Sequence, residues 1–158
     1  PDLLLHAGDI GDLAVLDVLS AIAPVHAVRG NIDGVGPAIP DVRVLDVADA
    51  QGVLVTVLLL HIAVYGPKLR ADAKRLARTE GASIVLCGHS HVPFAAREGG
   101  LVAFNPGSIG PRRFKLPITF GIIEVSRAGI AMRHIDAETG APWTPPREGH
   151  AGVKSTMG

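Results

Sequence analysis

Short apolar runs alternate with polar, glycine-rich loops along the first two thirds of the chain. Four of these runs have the length and composition of buried strands that end at a loop: 3–5, 25–29, 53–60 and 83–87. Two segments between them carry apolar residues at helical spacing: 13–23 and 68–80. Asp12 is placed to cap the first helix and Gly81 to end the second. Strands that alternate with helices predict an α/β fold.

Strands and turns are expected over most of the remaining chain. They are a strand at 41–47, a hairpin of 94–98 and 101–105 that turns at Gly99-Gly100, and two strands near 118–125 and 130–135. From Pro142 onward the chain is rich in Pro, Gly, Ser and Thr. We therefore expect one domain over 1–141 and a disordered tail over 142–158.

Composition narrows the classes of protein to consider. The chain has 158 residues, 47% hydrophobic and 19% charged, which is enough apolar material for one globular core. Fifteen Lys and Arg residues balance fifteen Asp and Glu residues, so net charge does not attract the chain to nucleic acid or an anionic membrane. Cys87 is the only cysteine, which excludes an internal disulfide and a multi-cysteine zinc cluster. The lone cysteine, with no signal peptide pattern and no membrane-length apolar run, predicts a cytoplasmic protein.

Polar side chains follow the ends of the apolar strands. These residues are Asp9, Asn31, His61, His89 and His91. Loops at the carboxyl ends of strands in an α/β fold converge on one crevice, so these side chains can meet there. Carboxylate, amide and imidazole donors together suit Mn²⁺, Fe²⁺, Zn²⁺ or Ni²⁺ rather than a soft thiolate site. Each residue also has a structural interpretation, because Gly-Asp is commonly a turn and a single histidine is commonly a satisfied core residue.

The order of these motifs resembles the calcineurin-like metallophosphoesterases, and within them the small bacterial and archaeal phosphodiesterases. The matching motifs are Gly8-Asp9, Gly30-Asn31-Ile32-Asp33, His61, Gly88-His89-Ser90-His91, Asn105-Pro106-Gly107-Ser108 and Pro111-Arg112-Arg113. The resemblance extends over nearly the whole chain to residue 136. It implies a four-layer α/β/β/α sandwich in which two sheets pack face to face.

The resemblance also implies a ligand set and a reaction. Asp9 is expected to bridge two divalent metals, one held also by Asn31, His61 and His89 and the other by His91. Asp9, Asn31 and His89 are the expected catalytic residues in hydrolysis of a small phosphodiester by a metal-activated hydroxide. Manganese is the expected metal, with Ni²⁺, Zn²⁺ and Fe²⁺ as alternatives, and one of the two metal sites is clearly retained.

The chain departs from the family at its beginning and at Ile32. The family opens with a strand that ends in Asp-x-His and supplies most ligands of the second metal, and this motif does not precede Asp9. Three explanations stay open: a fragment or mis-started gene, a partner that fills the gap, and a member that binds one metal only. Asp2, His6 and Asp12 are candidate substitute ligands. Each also has a structural interpretation: Asp2 as a strand-start residue, His6 as a buried histidine and Asp12 as a helix cap. Ile32 stands where the phosphatase branches have a histidine, which favours the phosphodiesterase branch.

Residues after the histidine pair have two interpretations each. Asn105 and Ser108 are candidate contacts of a substrate phosphate, although Asn-Pro-Gly is also a strong turn signal. Arg113 is a candidate phosphate ligand through its forked donors, or a surface charge together with Arg112. Asp33 either orients a metal ligand or caps its turn.

Two functions of different classes follow from these motifs. The first is a metal-dependent phosphodiesterase that acts on a small phosphodiester. The second is a binding or scaffold protein, by analogy with the retromer subunit that keeps this fold while its metal site is degraded. The sheet edge left by the absent strand also favours a homo-oligomer. His26, His134 and His150 fall outside the motif set and are expected to be structural or solvent-facing.

Overall fold

The structure is a computed structural model, and it describes residues 1–36, 38–113 and 115–144. Its helices are α1 (Ala14–Ser20) and α2 (Ala71–Thr79). Its strands are β1 (Leu4–His6), β2 (Val25–Ala27), β3 (Val42–Asp49), β4 (Gly52–Leu60), β5 (Val64–Tyr65), β6 (Lys68–Leu69), β7 (Ile84–Leu86), β8 (Phe94–Glu98), β9 (Leu101–Asn105), β10 (Thr119–Ser126), β11 (Gly129–Asp136) and β12 (Pro142–Trp143). With seven and nine residues, the helices in the described part of the chain are too short to cross a membrane.

A five-stranded sheet with the order β3-β4-β7-β9-β8 forms the centre of the molecule. β4, β7 and β9 run parallel to one another, and β3 and β8 pair antiparallel at the two edges. The inner strands are covered on both faces: Leu58 and Val85 pack on the side of α2, and Val57 and Ile84 pack on the opposite side. Burial on both faces explains why these runs are almost wholly apolar, whereas a strand with one solvated face would alternate with polar residues.

A second layer of strands packs against the other face of the central sheet. β10 and β11 contribute Ile123 and Met132 to this interface, and β1 contributes Leu5. In the described residues this layer consists of a parallel pair, β1-β2, and an antiparallel sheet in the order β10-β11-β12. β1 and β10 each lie at an edge of their sheet. With α2 outside the central sheet and α1 against β2, the predicted α/β sandwich is confirmed.

The first helix differs from its prediction. It ends at Ser20 instead of residue 23, and none of its residues is fully buried. Asp12 does bind at its first turn, where its carboxylate accepts a hydrogen bond of 2.9 Å from the N–H of Ala14. Of the apolar positions at helical spacing, Leu16 and Leu19 are half-buried and Ala23 is buried, so this face does turn inward, whereas Leu13 is 51% exposed. Val18 and Ile22 lie off that face and are 69% and 64% exposed.

The second helix also begins later than predicted. Lys68 and Leu69 form β6, which pairs with β5 across a turn at Gly66-Pro67. Gly66 has a φ of 58°, and glycine at the first position of a two-residue turn is typical of a type II′ hairpin. The helix starts at Ala71, after this hairpin.

The boundary predicted between domain and tail is wrong. Pro142 and Trp143 form β12 and pair with Ile135 and His134 of β11. Trp143 also contacts His134 edge-on, with ring centroids 5.9 Å apart. The folded part therefore continues past residue 141. Residues 145–158 of the predicted tail, with His150, lie outside the described residues.

Candidate metal centre

Asp9 lies in the loop after β1, where the backbone takes an uncommon conformation. Its φ is 56°, and the φ of Gly8 is 92°. A Cβ atom at Gly8 would lie 2.6 Å from Nδ1 of His61, so this close approach requires glycine. Oδ1 of Asp9 accepts hydrogen bonds from the N–H groups of Asn31 at 2.7 Å and Ile32 at 3.2 Å. The carboxylate is thus fixed between the loops that follow β1 and β2.

Asp33 is buried and joins the same two loops. Its Oδ1 accepts hydrogen bonds from the N–H groups of Ile10 at 2.8 Å and Gly11 at 2.9 Å, and its Oδ2 accepts one from Gly30 at 2.7 Å. Burial opposes ionisation of Asp33, but these backbone hydrogen bonds outweigh it and hold the pKa of the carboxyl below its ordinary value. Asp33 both caps its own turn and positions the loop that carries Asp9.

His61 follows β4, and the geometry of its ring identifies its tautomer. Nδ1 lies 2.6 Å from the carbonyl oxygen of Ala7, which can only accept, so Nδ1 carries the proton in the neutral ring. Nε2 therefore presents a lone pair, and it lies 3.0 Å from Oδ1 of Asn31 and 3.4 Å from Oδ1 of Asp9. Three electron-pair donors face one another here. A cation stabilises such an arrangement, so the donor chemistry of these three residues fits a divalent metal.

The histidine loop, Gly88–His91, follows β7 and is also strained. His89 and His91 have φ values of 66° and 59°, a region that costs a non-glycine residue about 1–3 kcal/mol. The ring of His89 packs edge-on against that of His61, with centroids 5.2 Å apart. Burial and the positive charge of Arg113 lower the pKa of His91, and the charge of Asp9 opposes this shift. His91 therefore lies within electrostatic range of both groups.

Asn105, at the end of β9, holds the histidine loop through hydrogen bonds of its side chain. Its side chain is 0% exposed; Nδ2 donates to the carbonyl of Gly88 at 2.7 Å and to Oγ of Ser90 at 3.1 Å. Its Oδ1 accepts the N–H of Gly107 at 2.9 Å. The predicted contact of Asn105 with a substrate phosphate does not fit this arrangement, because its donors and acceptor are already used inside the protein. Asn105 is a positioning residue for the histidine loop.

The two other candidate phosphate contacts differ from each other. Oγ of Ser108 accepts a backbone N–H of its own turn at 3.2 Å, which is a local contact. Arg113 is exposed and acts on His91 through its charge. Its neighbour Arg112 pairs with Glu138 and is therefore a surface charge.

His6 is the candidate substitute ligand that lies close to the site. Burial lowers its pKa, and the charges of Asp33 and Asp9 oppose this shift, so His6 is within range of both carboxylates. Asp2 is exposed, and Asp12 binds the first turn of α1. The structural interpretation of Asp12 therefore fits the structure.

Contacts link four of the five predicted ligands, without forming a closed cage. Asp9, Asn31 and His61 are in direct contact, His89 packs against His61, and His91 is linked to them through its charge environment. Within the described ranges, no group of three or more His, Cys, Asp or Glu side chains is arranged to hold a metal ion. The amide oxygen of Asn31 belongs to the inner contact and is a donor outside those four residue types.

Sequence reasoning assigned no role to two positions that shape this site. A Cβ atom at Gly30 would lie 2.0 Å from the backbone nitrogen of Asp9 and 2.4 Å from its Oδ1. The signal for Gly30 was its position directly before a predicted ligand. Ala7 acts through its carbonyl group on His61, and no side-chain pattern could have revealed it.

Comparison with known proteins identifies the family. A sequence profile described as the calcineurin-like phosphoesterase superfamily domain matches residues 1–128. The chain belongs to this superfamily. A "probable metallophosphoesterase" of Methanothermobacter thermautotrophicus is 32% identical over 145 residues, which cover 89% of this chain and 78% of that protein. A second "probable metallophosphoesterase", of Methanocaldococcus jannaschii, is 32% identical over 108 residues, which cover 68% of this chain. The chain spans about half (53%) of that relative's length.

Solved structures agree on the fold of this superfamily member. Wild-type Vps29 of Entamoeba histolytica, complexed with Zn²⁺, has a TM-score of 0.70 at 20% identity and covers 90% of this chain and 79% of its own. A structure described as a novel archaeal phosphodiesterase has a TM-score of 0.62 at 17% identity and covers 85% of this chain and 83% of its own. At these identities the similarity shows the fold alone.

Proposed function

We propose that the protein is a metal-dependent phosphoesterase, and more narrowly a phosphodiesterase that hydrolyses a small phosphodiester. The observation that carries this proposal is the convergence of Nε2 of His61 with Oδ1 of Asn31 and Oδ1 of Asp9, at 3.0 and 3.4 Å. Membership of the superfamily and relatives named metallophosphoesterases support it. Ile32, in place of the histidine of the phosphatase branches, supports a diester as substrate.

We propose a set of metal ligands from these donors. Asp9, Asn31, His61 and His89 would hold one divalent ion, and Asp9 and His91 would help to hold a second. A bound divalent ion supplies a Lewis acid for a phosphoryl oxygen and lowers the pKa of water. We propose Mn²⁺, although mixed nitrogen and oxygen donors also accept Ni²⁺, Zn²⁺ and Fe²⁺.

The chain's own residues orient these donors before any ligand arrives. The Ala7 carbonyl holds the His61 ring so that Nε2 faces the site, and the N–H groups of Asn31 and Ile32 hold the Asp9 carboxylate. Such preorganisation avoids the cost of rearranging dipoles when charge develops on the phosphoryl group. We propose that Arg113, which is exposed and whose charge lowers the pKa of His91, attracts the anionic substrate.

The experiment compares two histidine variants in metal content and activity. The wild-type protein and the variants His89→Ala and His26→Ala are dialysed against Mn²⁺, Ni²⁺ or Zn²⁺, and bound metal is measured by mass spectrometry. Loss of a ligand should lower metal affinity at least about tenfold for His89→Ala. His26, on β2 and outside the site, is the matched control and should retain metal. Hydrolysis of bis(p-nitrophenyl) phosphate should follow metal content. Equal effects of the two variants would refute the ligand assignment.

A binding or scaffold protein is the second candidate. Its supporting observation is the apolar surface on and beside α1: Val18 in the helix is 69% exposed, and Leu13 and Ile22, which flank it, are 51% and 64% exposed. A protein that binds none of the three metals and hydrolyses no diester would favour this function over the enzyme.

We also propose a location and an assembly for the protein. The single cysteine, Cys87, is free and buried, which agrees with a reducing compartment such as the cytoplasm. The edge positions of β1 and β10 leave room for strand pairing between copies, so we propose a homo-oligomer. Light scattering at two protein concentrations would test the assembly, and a mass that stays monomeric at both would refute it.

A further inference from the structure

A cavity of about 540 Å³ opens beside the candidate metal centre. His89 and Ser90 of the histidine loop form one wall, so the cavity is continuous with the site. The apolar side chains of Ile62, Val92 and Phe94 line its interior. Its volume is in the range of pockets that bind small organic molecules, about 300–1,000 Å³.

Tyr65 stands at the rim of this cavity and is 88% exposed. It belongs to the β5-β6 hairpin, which is anchored on both sides. Leu69 of β6 is buried, and its N–H donates to Oε2 of Glu98 at 3.0 Å; the N–H of Arg70 donates to the carbonyl of Ala63 at 2.9 Å. The backbone that carries Tyr65 is thus anchored, and its ring is free to meet a ligand from solvent.

The charge in the cavity favours a neutral group over a second phosphate. Arg70 is the cation in its lining, and its guanidinium already pairs with both carboxylate oxygens of Asp72, with Nε–Oδ1 and Nη2–Oδ2 distances of 3.2 Å. This guanidinium therefore already has a carboxylate partner, and it lies on the exposed side of the cavity. What the cavity offers is apolar surface and one aromatic face, which together suit a flat ring.

We propose that this cavity binds an aromatic substituent of the phosphodiester while the phosphoryl group lies at the metal centre, and that Tyr65 determines specificity by stacking on that ring. The inference rests on the proposed function and adds to it the class of substrate, an aryl or nucleobase-bearing diester. Tyr65 touches the substrate ring and takes no part in the bond cleavage.

The test uses two phosphonates that differ only in the ring. Binding of phenylphosphonate and methylphosphonate to Mn²⁺-loaded protein is measured by isothermal titration calorimetry. The wild-type protein should prefer phenylphosphonate. Tyr65→Ala should weaken phenylphosphonate binding about two- to tenfold, the fold-change expected for one aromatic pair, and leave methylphosphonate binding unchanged. Tyr65→Phe keeps the ring and should bind like the wild type. Phe120→Ala removes an exposed aromatic ring, 41% exposed on β10, away from the cavity lining, and is the matched control.

The outcomes separate the two proposals. Equal binding of the two phosphonates, or a loss in Tyr65→Ala that affects both equally, would overturn the cavity assignment while the metal centre stands. Wild-type protein that binds neither phosphonate and hydrolyses no diester would overturn the proposed function, and the cavity assignment with it. A loss in Phe120→Ala equal to that in Tyr65→Ala would show that the effect is not local to the cavity.

Discussion

Asp33→Asn should separate the role of one buried carboxylate from the shape of its side chain. Asp33 accepts three backbone hydrogen bonds, two at Oδ1 and one at Oδ2, from the loops that carry Asp9 and Asn31. Asparagine has the same shape but only one oxygen, so its NH₂ group must face at least one backbone N–H. With the oxygen towards Ile10 and Gly11, the NH₂ group opposes the N–H of Gly30.

The magnitude follows from the bonds that are lost. A hydrogen bond to a charged group contributes about 1.5–3 kcal/mol, and a buried donor left without a partner costs about 1–3 kcal/mol. Asp33→Asn should therefore lower the free energy of unfolding by about 2–4 kcal/mol. The same change loosens the loops of two proposed ligands, so metal affinity should fall about 10–100-fold.

The assay is urea unfolding of metal-free protein at pH 7, with Asp12→Asn as the matched control. Asp12 is an exposed carboxylate that accepts one backbone hydrogen bond, and asparagine serves nearly as well at a helix start. Asp12→Asn should therefore lower the free energy of unfolding by less than about 0.5 kcal/mol. The folded-state pKa of Asp33 is lowered, so its stabilisation is present above the ordinary carboxyl pKa and is lost as pH falls through the folded-state value. The gap between wild type and Asp33→Asn should thus narrow in acid. Losses within about 0.5 kcal/mol of each other at pH 7 would refute the role of Asp33.

Three further predictions concern buried positions. Gly30→Ala should destabilise the protein by about 1–3 kcal/mol or displace Asp9, because the new Cβ would lie 2.0 Å from the Asp9 nitrogen. The control Gly34→Ala meets no atom within 4 Å and should be neutral. Equal urea midpoints for the two variants would contradict this prediction. Burial raises the pKa of Cys87 to about 11, so its thiol should react with a disulfide reagent at pH 8 only after unfolding, and rapid reaction of the native protein would contradict its burial. Burial also lowers the pKa of His134, so the unfolded state binds more protons and the free energy of unfolding should fall as pH drops below about 6.5. His134→Phe should reduce this dependence of the urea midpoint on pH. An unchanged pH dependence would show that other groups cause it.

The central strands were predictable because their environment is simple. β7, β9 and the second half of β4 are buried on both faces, so their sequences are almost wholly apolar. Gly99-Gly100 marks the turn of the β8-β9 hairpin, with φ values of 58° and 83°. The resemblance drawn from the motif order was correct at the level of the family. These features depend on local composition and on the order of motifs along the chain.

The errors occur where contacts between distant segments decide the structure. The apolar residues at 68–80 have helical spacing, but Gly66-Pro67 folds the start of this segment back as a hairpin, and Leu69 is buried there. The Pro-rich composition near Pro142 suggested disorder, yet pairing with β11 places Pro142 and Trp143 in a strand. Asn105 had two interpretations, a phosphate contact and a turn; its Oδ1 accepts the N–H of Gly107 as in a turn, and only the fold shows that its amide also holds the histidine loop. Composition alone carries no information about such partners.

The central claim is that the residues around His61 form a metal site. A titration with Zn²⁺, followed by nitrogen-15 NMR of the histidine rings, tests this claim most directly. We expect the signals of His61 and His89 to shift at stoichiometric Zn²⁺. Nε2 of His61 should be the coordinating atom, because Nδ1 donates a hydrogen bond to the Ala7 carbonyl. The signals of His134, which stacks on Phe104 4.6 Å away, should not change. Shifts that spare His61 and His89, or no shift at stoichiometric Zn²⁺, would contradict the claim.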